Sequence, residues 1–204
     1  MIAQNIASLL LKEKAVFLRP EEPFTWTSGI KSPVYCDNRL LISSVEARTL
    51  IVKAMIEKIT PMKPQIIAGT ATAGIPWAAW VAHEMKLPLV YVRSSVKEHG
   101  RQNAIEGASQ AGQRVILLED LVSTGKSSIA AAQRLKEADL EVLGVLSIFT
   151  YGFNDAQKIF EQAKLPFISL SNFDTLAQVA FDQKFLDAEA LQKVLEWRKG
   201  VSLN

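Results

Sequence analysis

VILLEDLVSTGKSS, residues Val115–Ser128, decides the fold. Four apolar residues read as a buried strand, Ser123 and Thr124 as a polar turn, and the Ala-rich run after Gly125 as a helix. A strand running through a short loop into a helix leaves backbone N–H groups free at the helix start, and these bind phosphate well. The Gly-Lys-Ser at its centre invites a nucleotide-binding loop of the G-x-x-x-x-G-K-S kind. That motif requires glycine where this chain has Asp120, so the reading fails at its first position. What remains is a loop, Leu121 to Ser128, with hydroxyls at Ser123, Thr124, Ser127 and Ser128.

Glu119 and Asp120 stand at the mouth of that loop. Carboxylates only accept hydrogen bonds, so they cannot serve a phosphate directly. They can serve vicinal sugar hydroxyls, or a ribose ring acquiring positive charge. A sugar 5-phosphate would satisfy both halves of the stretch, with its phosphate in the loop and its diol over the acids. The competing reading is a plain strand–turn–helix with capping hydroxyls and solvated acids.

Outward from this stretch, strand and helix patterns alternate. The spacing predicts helices over residues 44–59, 73–86, 124–138 and 155–164, with two more in the C-terminal part. Runs of Val, Ile and Leu predict strands over 65–69, 87–93, 114–119, 140–150 and 165–170. Strands of this kind belong to a parallel sheet covered on both faces, whose ligands gather at the carboxyl ends of the strands. The expected fold class is α/β, a central mainly parallel sheet flanked by helices. Ile2, Ile6, Leu9 and Leu10 share one helical face ahead of it. The chain reads as one domain over 1–204, including a small N-terminal hood at about 1–43.

Two segments break the alternation: FTWTSGIKSPVYCDNR, rich in aromatics and hydroxyls, and SSVKEHGRQNAIEGASQAG, a polar connection between strands with no helical period. Long connections of the second kind are functional lids or disordered. Arg93, Lys97, His99 and Arg101 crowd into its start, as either a catalytic cluster or a solvated surface. A second strand–loop–helix, IIAGTATAGIP, offers another phosphate cradle around Thr70 and Ala71, or simply a tight turn. Its small residues let a ligand approach the backbone, and Ala71 departs from the dinucleotide-binding glycine pattern.

The VILLEDLVSTGKSS stretch resembles the phosphoribosyl-diphosphate (PRPP) motif of the type I phosphoribosyltransferases, and R-x-x-x-K-x-H-G with the FTWTSGIKSPVYCDNR hood resembles the orotate phosphoribosyltransferases among them. The resemblance implies the type I phosphoribosyltransferase fold and transfer of the phosphoribosyl group from PRPP to orotate, in pyrimidine (UMP) biosynthesis. It implies that Glu119 and Asp120 hold the ribose hydroxyls, and that Leu121, Val122, Ser123, Thr124, Gly125, Lys126 and Ser127 hold the 5-phosphate. By the same resemblance Thr70 and Ala71 hold the diphosphate, and Arg93, Lys97, His99 and Asp120 are catalytic. It further implies a Mg²⁺ ion bound mainly through PRPP and water, and a homodimer with shared active sites.

This chain departs from the family pattern at several positions. Thr27 replaces the lysine of the hood, Ala73 a lysine of the diphosphate loop, Ser94 a lysine after Arg93, and Tyr151 occupies the region of an arginine near the orotate carboxylate. Ser123, backbone N–H groups and Arg39 are the candidates for that carboxylate. The alternatives are a phosphoribosyltransferase for another base and a non-catalytic PRPP-binding regulator.

Composition agrees with a small-molecule enzyme. The 204 residues are 49% hydrophobic and 22% charged with a net charge of +2, so no global field draws nucleic acid or an anionic membrane. Cys36 is the sole cysteine, and the lysines near the N-terminus follow the apolar run, which does not read as a signal peptide. A cytoplasmic protein is expected. His83 reads as a surface or interface residue, Trp77 and Trp80 as core or dimer contacts, and Cys36 as a buried apolar side chain.

Overall fold

The computed structural model describes residues 2–26, 29–94 and 104–201. An N-terminal helix α1 (Ile2–Lys12) is followed by four short strands, β1 (Val16–Leu18), β2 (Phe24–Thr25), β3 (Lys31–Ser32) and β4 (Val34–Cys36). Then come α2 (Val45–Ile59), β5 (Ile66–Thr70), α3 (Gly74–Met85), β6 (Leu89–Val92), β7 (Ile105–Glu106) and β8 (Arg114–Val122). The chain continues through α4 (Lys126–Glu137), β9 (Glu141–Thr150), α5 (Asn154–Gln162), β10 (Phe167–Asn172), α6 (Phe173–Asp182) and α7 (Ala188–Gly200).

A six-stranded sheet in the order β10-β9-β8-β5-β6-β7 forms the centre, parallel throughout except for β7, which runs antiparallel to β6. The period-2 alternation of strand side chains builds two cores from one sheet. Ile67, Ile116, Leu118, Leu146 and Ile148 point to the face covered by α1, α2, α3 and α6. Ile66, Ala68, Val115, Leu117 and Val145 point to the other, covered by α4 and by Phe160 of α5. Helix α1 is held here by Ile6, Ala7, Leu9, Leu10 and Leu11. Its ion pair, Lys12 to Glu46 at 3.0 Å, joins side chains 60% and 69% exposed, and pairs that exposed contribute little.

Three differences from the sequence reading matter. The polar connection after β6 is not wholly without regular structure, because Ile105 and Glu106 pair with Val92 and Tyr91 as an edge strand. Strand β8 does not stop at Glu119 but runs on to Val122 against Thr150 of β9, so the acids lie within the sheet and the loop shrinks to Ser123–Gly125. Helix α4 starts at Lys126, not at Thr124, because Gly125 takes the left-handed conformation, φ +79°. A Cβ there would come within 2.9 Å of the Phe160 ring, so the position requires glycine twice over.

The antiparallel pair β1/β4 encloses the hairpin β2/β3, and Trp26 after β2 joins an aromatic cluster built from distant segments. The Trp26 ring sits 4.9 Å from Tyr151 and 6.0 Å from Trp197, centroid to centroid. The Trp197 indole N–H donates to the Lys31 carbonyl at 2.8 Å, which ties α7 to that hairpin. Among the described residues no helix is long and apolar enough to cross a membrane.

Candidate active site

Three chain segments converge at the carboxyl ends of β5 and β8. A cavity of about 360 Å³ is walled by Cys36–Arg39 on one side and by Thr70–Ala73 on another. Glu119, Asp120 and Leu121 complete it with Ser127. That volume lies within the range of small-ligand sites, roughly 300–1,000 Å³. A larger cavity, about 730 Å³, opens between the ends of β9 and β10 and α5. Its Arg198 is already bonded to Asp174 at 2.8 Å, and it holds neither Glu119 nor Asp120 and neither cradle, so the smaller cavity is the candidate site.

The first cradle owes its shape to small residues. A Cβ on Gly74 would lie 2.6 Å from the Leu118 carbonyl, so α3 begins hard against β8. The Thr70 hydroxyl donates to that same carbonyl at 3.0 Å. The peptide between Ala71 and Thr72 is cis. In the second cradle the Lys126 N–H donates to the Thr124 hydroxyl at 3.3 Å. Helix α4 has no side-chain cap at Gly125, which leaves donors at its start for a ligand.

Glu119 is buried, with 6% of its surface exposed, and Asp120 is half-buried beside it. One Glu119 oxygen accepts from the Asp120 N–H at 3.1 Å and the other from the Ser128 hydroxyl at 3.4 Å. Burial, then the neighbouring Asp120 charge, pushes the Glu119 carboxyl up to about 8. Burial raises Asp120 too, against the Leu121 N–H and Arg39, which favour its ionised form.

A stability effect follows. From the ordinary 4.5 to about 8, folded Glu119 keeps a proton that the unfolded chain has released. Its contribution therefore falls as pH rises through that window. The urea midpoint of the ligand-free protein is expected to drop between about pH 5 and pH 8, and Glu119→Gln to flatten the drop. Equal slopes for the two proteins would assign the pH dependence elsewhere.

Of the residues nominated from sequence, Thr70, Ala71, Glu119, Asp120, Leu121 and Ser127 line this cavity. Val122 does not: its side chain is buried in the second core and its carbonyl accepts from the Thr150 hydroxyl at 2.9 Å. Ser123, Thr124, Gly125 and Lys126 form the turn and first residue of α4 beside it. Arg93 directly follows β6 with its guanidinium 3.5 Å from Glu106, and its carbonyl accepts from Arg134. Lys97, His99 and Arg101 lie outside the described residues, as do Thr27 and most of the expected lid.

Tyr151, which stands in the region of the family's arginine, offers no charge. It is 3% exposed, its hydroxyl accepts from the Cys36 N–H at 3.2 Å, and burial raises its phenol. Arg39 reaches the cavity with its charge already matched by Asp37, at 2.6 and 2.7 Å. The Arg39 guanidinium holds Asp37 below the usual carboxylate range. Cys36 is buried, as expected, and also lines the cavity. His83 is exposed, whereas Trp77 is fully buried and packs edge-on against Trp80 at 5.2 Å. Sequence reasoning missed Asp37 and Asn38. The only signal was their place beside Arg39 in the hood stretch.

Comparison with known proteins bears on this geometry. Residues 42–176 match the family model described as the phosphoribosyl transferase domain. The orotate phosphoribosyltransferase of Listeria innocua is 48% identical over 200 residues, 97% of this chain and 96% of its own length. The crystal structure of orotate phosphoribosyltransferase from Aeropyrum pernix superposes with a TM-score of 0.77 at 27% identity, covering 89% of this chain and 99% of that one. The Mycobacterium tuberculosis enzyme crystallised with PRPP shares the fold, with a TM-score of 0.67 at 24% identity over 86% of this chain and 99% of that one.

Proposed function

The chain belongs to the phosphoribosyl transferase family, among the orotate phosphoribosyltransferases, and on that premise we propose how its residues carry the reaction. The reaction joins orotate to the 5-phosphoribosyl group of PRPP and releases diphosphate, giving orotidine 5'-phosphate for pyrimidine biosynthesis. One observation carries the assignment of roles: an acid pair and a small-residue cradle meet in one cavity, with a helix start beside it.

In this reading the start of α4 holds the 5-phosphate through backbone N–H groups and the hydroxyls of Ser123, Thr124 and Ser127. The Thr70–Ala73 cradle takes the diphosphate. Glu119 and Asp120 then lie under the ribose hydroxyls. As the bond from ribose C1 to diphosphate breaks, positive charge grows on the ring and negative charge on the leaving group. The acids favour the first. Arg93, Lys97 and His99 favour the second. Fixed charges in a water-excluded site stabilise both without reorganising.

Among the described residues no group of three or more His, Cys, Asp or Glu side chains gathers as a metal cage. The paired carboxylates of Glu119 and Asp120 suit a divalent ion that keeps most of its ligands from PRPP and water, as Mg²⁺ does. Such an ion, when bound, neutralises charge on the diphosphate. The assembly in this reading is a homodimer in which the segment bearing Lys97 serves the neighbouring subunit. Ser123, backbone N–H groups and Arg39 remain the groups offered to the orotate carboxylate.

The expected result is loss of orotate absorbance only when PRPP and Mg²⁺ are both present. Adenine, hypoxanthine and uracil should leave PRPP unconsumed. Turnover of a purine with orotate untouched would overturn the reading.

A further inference from the structure

Asn38 is 1% exposed and reaches across the cavity wall. Its side-chain N–H donates to the Asp120 carbonyl at 2.7 Å, a bond between residues 82 apart in sequence. Its side-chain oxygen accepts from the Cys36 thiol at 3.3 Å. The residue before it, Asp37, is clamped by Arg39, and the Cys36 N–H is held by the Tyr151 hydroxyl. Asn38 therefore has both ends of its amide occupied and sits on a segment tied down on either side.

The peptide that Asn38 grips is the one joining Asp120 to Leu121. Across a planar trans peptide the carbonyl and the N–H point in opposite directions. Holding the Asp120 carbonyl therefore sets where the Leu121 N–H points, and that N–H favours the ionised Asp120 carboxylate. This peptide lies near the end of β8, which pairs with β9 at Glu119 before it and at Leu121 and Val122 after it, ahead of the turn.

We propose that Asn38 is a positioning residue for Asp120: by fixing the Asp120–Leu121 peptide it aims the acid at the ribose, and it acts through no other group. This rests on the assignment of Asp120 to the reaction. The hood segment then has a task besides covering the base, since a residue that begins its short 3₁₀ turn, Asn38–Ser43, aligns an acid on the central sheet. A misaligned charge costs transition-state stabilisation more than ground-state binding, so the effect should fall on kcat.

The test is a double-mutant cycle on the full-length protein. Asn38→Leu keeps the volume and removes the donor, and Asn38→Asp keeps the acceptor for Cys36 and removes the donor. Each single variant is expected to lose about 10–100-fold in kcat, with KM for PRPP changed by less than about 3-fold. In an Asp120→Asn background the same substitutions should cost no more than about 2-fold, because the acid they would misalign is already gone. If the losses multiply, or if both Asn38 variants keep the wild-type kcat, Asn38 does not act through Asp120. Failure of both variants to melt cooperatively would make Asn38 a purely structural bond and overturn the proposal as well. An inactive wild-type protein would instead refute the orotate reading, so the two failures are distinguishable.

Discussion

The Asp120→Asn protein is expected to convert orotate about 10²–10³-fold more slowly than the wild type while staying folded. The substitution keeps the shape and removes one negative charge from a site where, in the proposed reaction, positive charge grows. Asp120 lines the cavity beside Glu119, and its peptide is gripped by Asn38 at 2.7 Å, so the charge is held in a defined place. The same substitution relieves the free protein, because the Asp120 charge is among the causes that raise Glu119. Its melting temperature should therefore match or exceed that of the wild type. A variant that is slow and also unstable would mean that the acid holds the fold. Near-normal turnover with unchanged melting would remove Asp120 from the reaction.

Lys97→Ala is expected to lower kcat more than it raises KM for PRPP, because a charge beside the departing diphosphate is most useful in the transition state. A raised KM with unaltered kcat would make Lys97 a plain binding residue. The same variant tests the shared site of the proposed homodimer. Lys97→Ala and Asp120→Asn, each inactive alone, are mixed and their subunits allowed to exchange. If each site takes Lys97 from one chain and Asp120 from the other, a mixed dimer has one doubly defective site and one intact site. Random exchange makes half the dimers mixed, so activity should return to roughly one quarter of wild type. Mixing restores nothing if both residues come from one chain.

The opposed charges of the site also explain a tension within the molecule. Crowding two acids together away from water is unfavourable for the free protein, which keeps a proton on Glu119, and nearby Arg39 is bonded to Asp37. In the proposed reading the ligand supplies what is missing, since it carries hydroxyl donors and develops positive charge. A site of this kind sacrifices stability for function.

Local pattern was enough to read much of this protein from sequence. Continuous apolar runs marked β5, β8 and β9, and the 3.6-residue period marked α2 and α4, since short-range periodicity is what a sheet face or a helix stripe imposes. The place of Glu119 and Asp120 on a cavity wall was legible too, because two acids after a buried strand and before a hydroxyl-rich helix start suit the mouth of a polar pocket. The extent of the strand was not legible, because Leu121 and Val122 suit a loop or a strand equally and only pairing with Phe149 and Thr150 chose between them.

Tertiary structure alone decided the contacts that join remote segments. Nothing near Asn38 in sequence says that its amide meets Asp120, and nothing near Tyr151 says that its hydroxyl serves Cys36 instead of a ligand. Trp26 and Trp197 meet at 6.0 Å from opposite ends of the chain. Arg93 shows the same limit: residue type and position suited it to an anion, but the edge strand brought Glu106 beside it. Periodicity records which way a side chain faces within its own element. Which partner waits there depends on how the elements pack, and a single sequence carries no local mark of that.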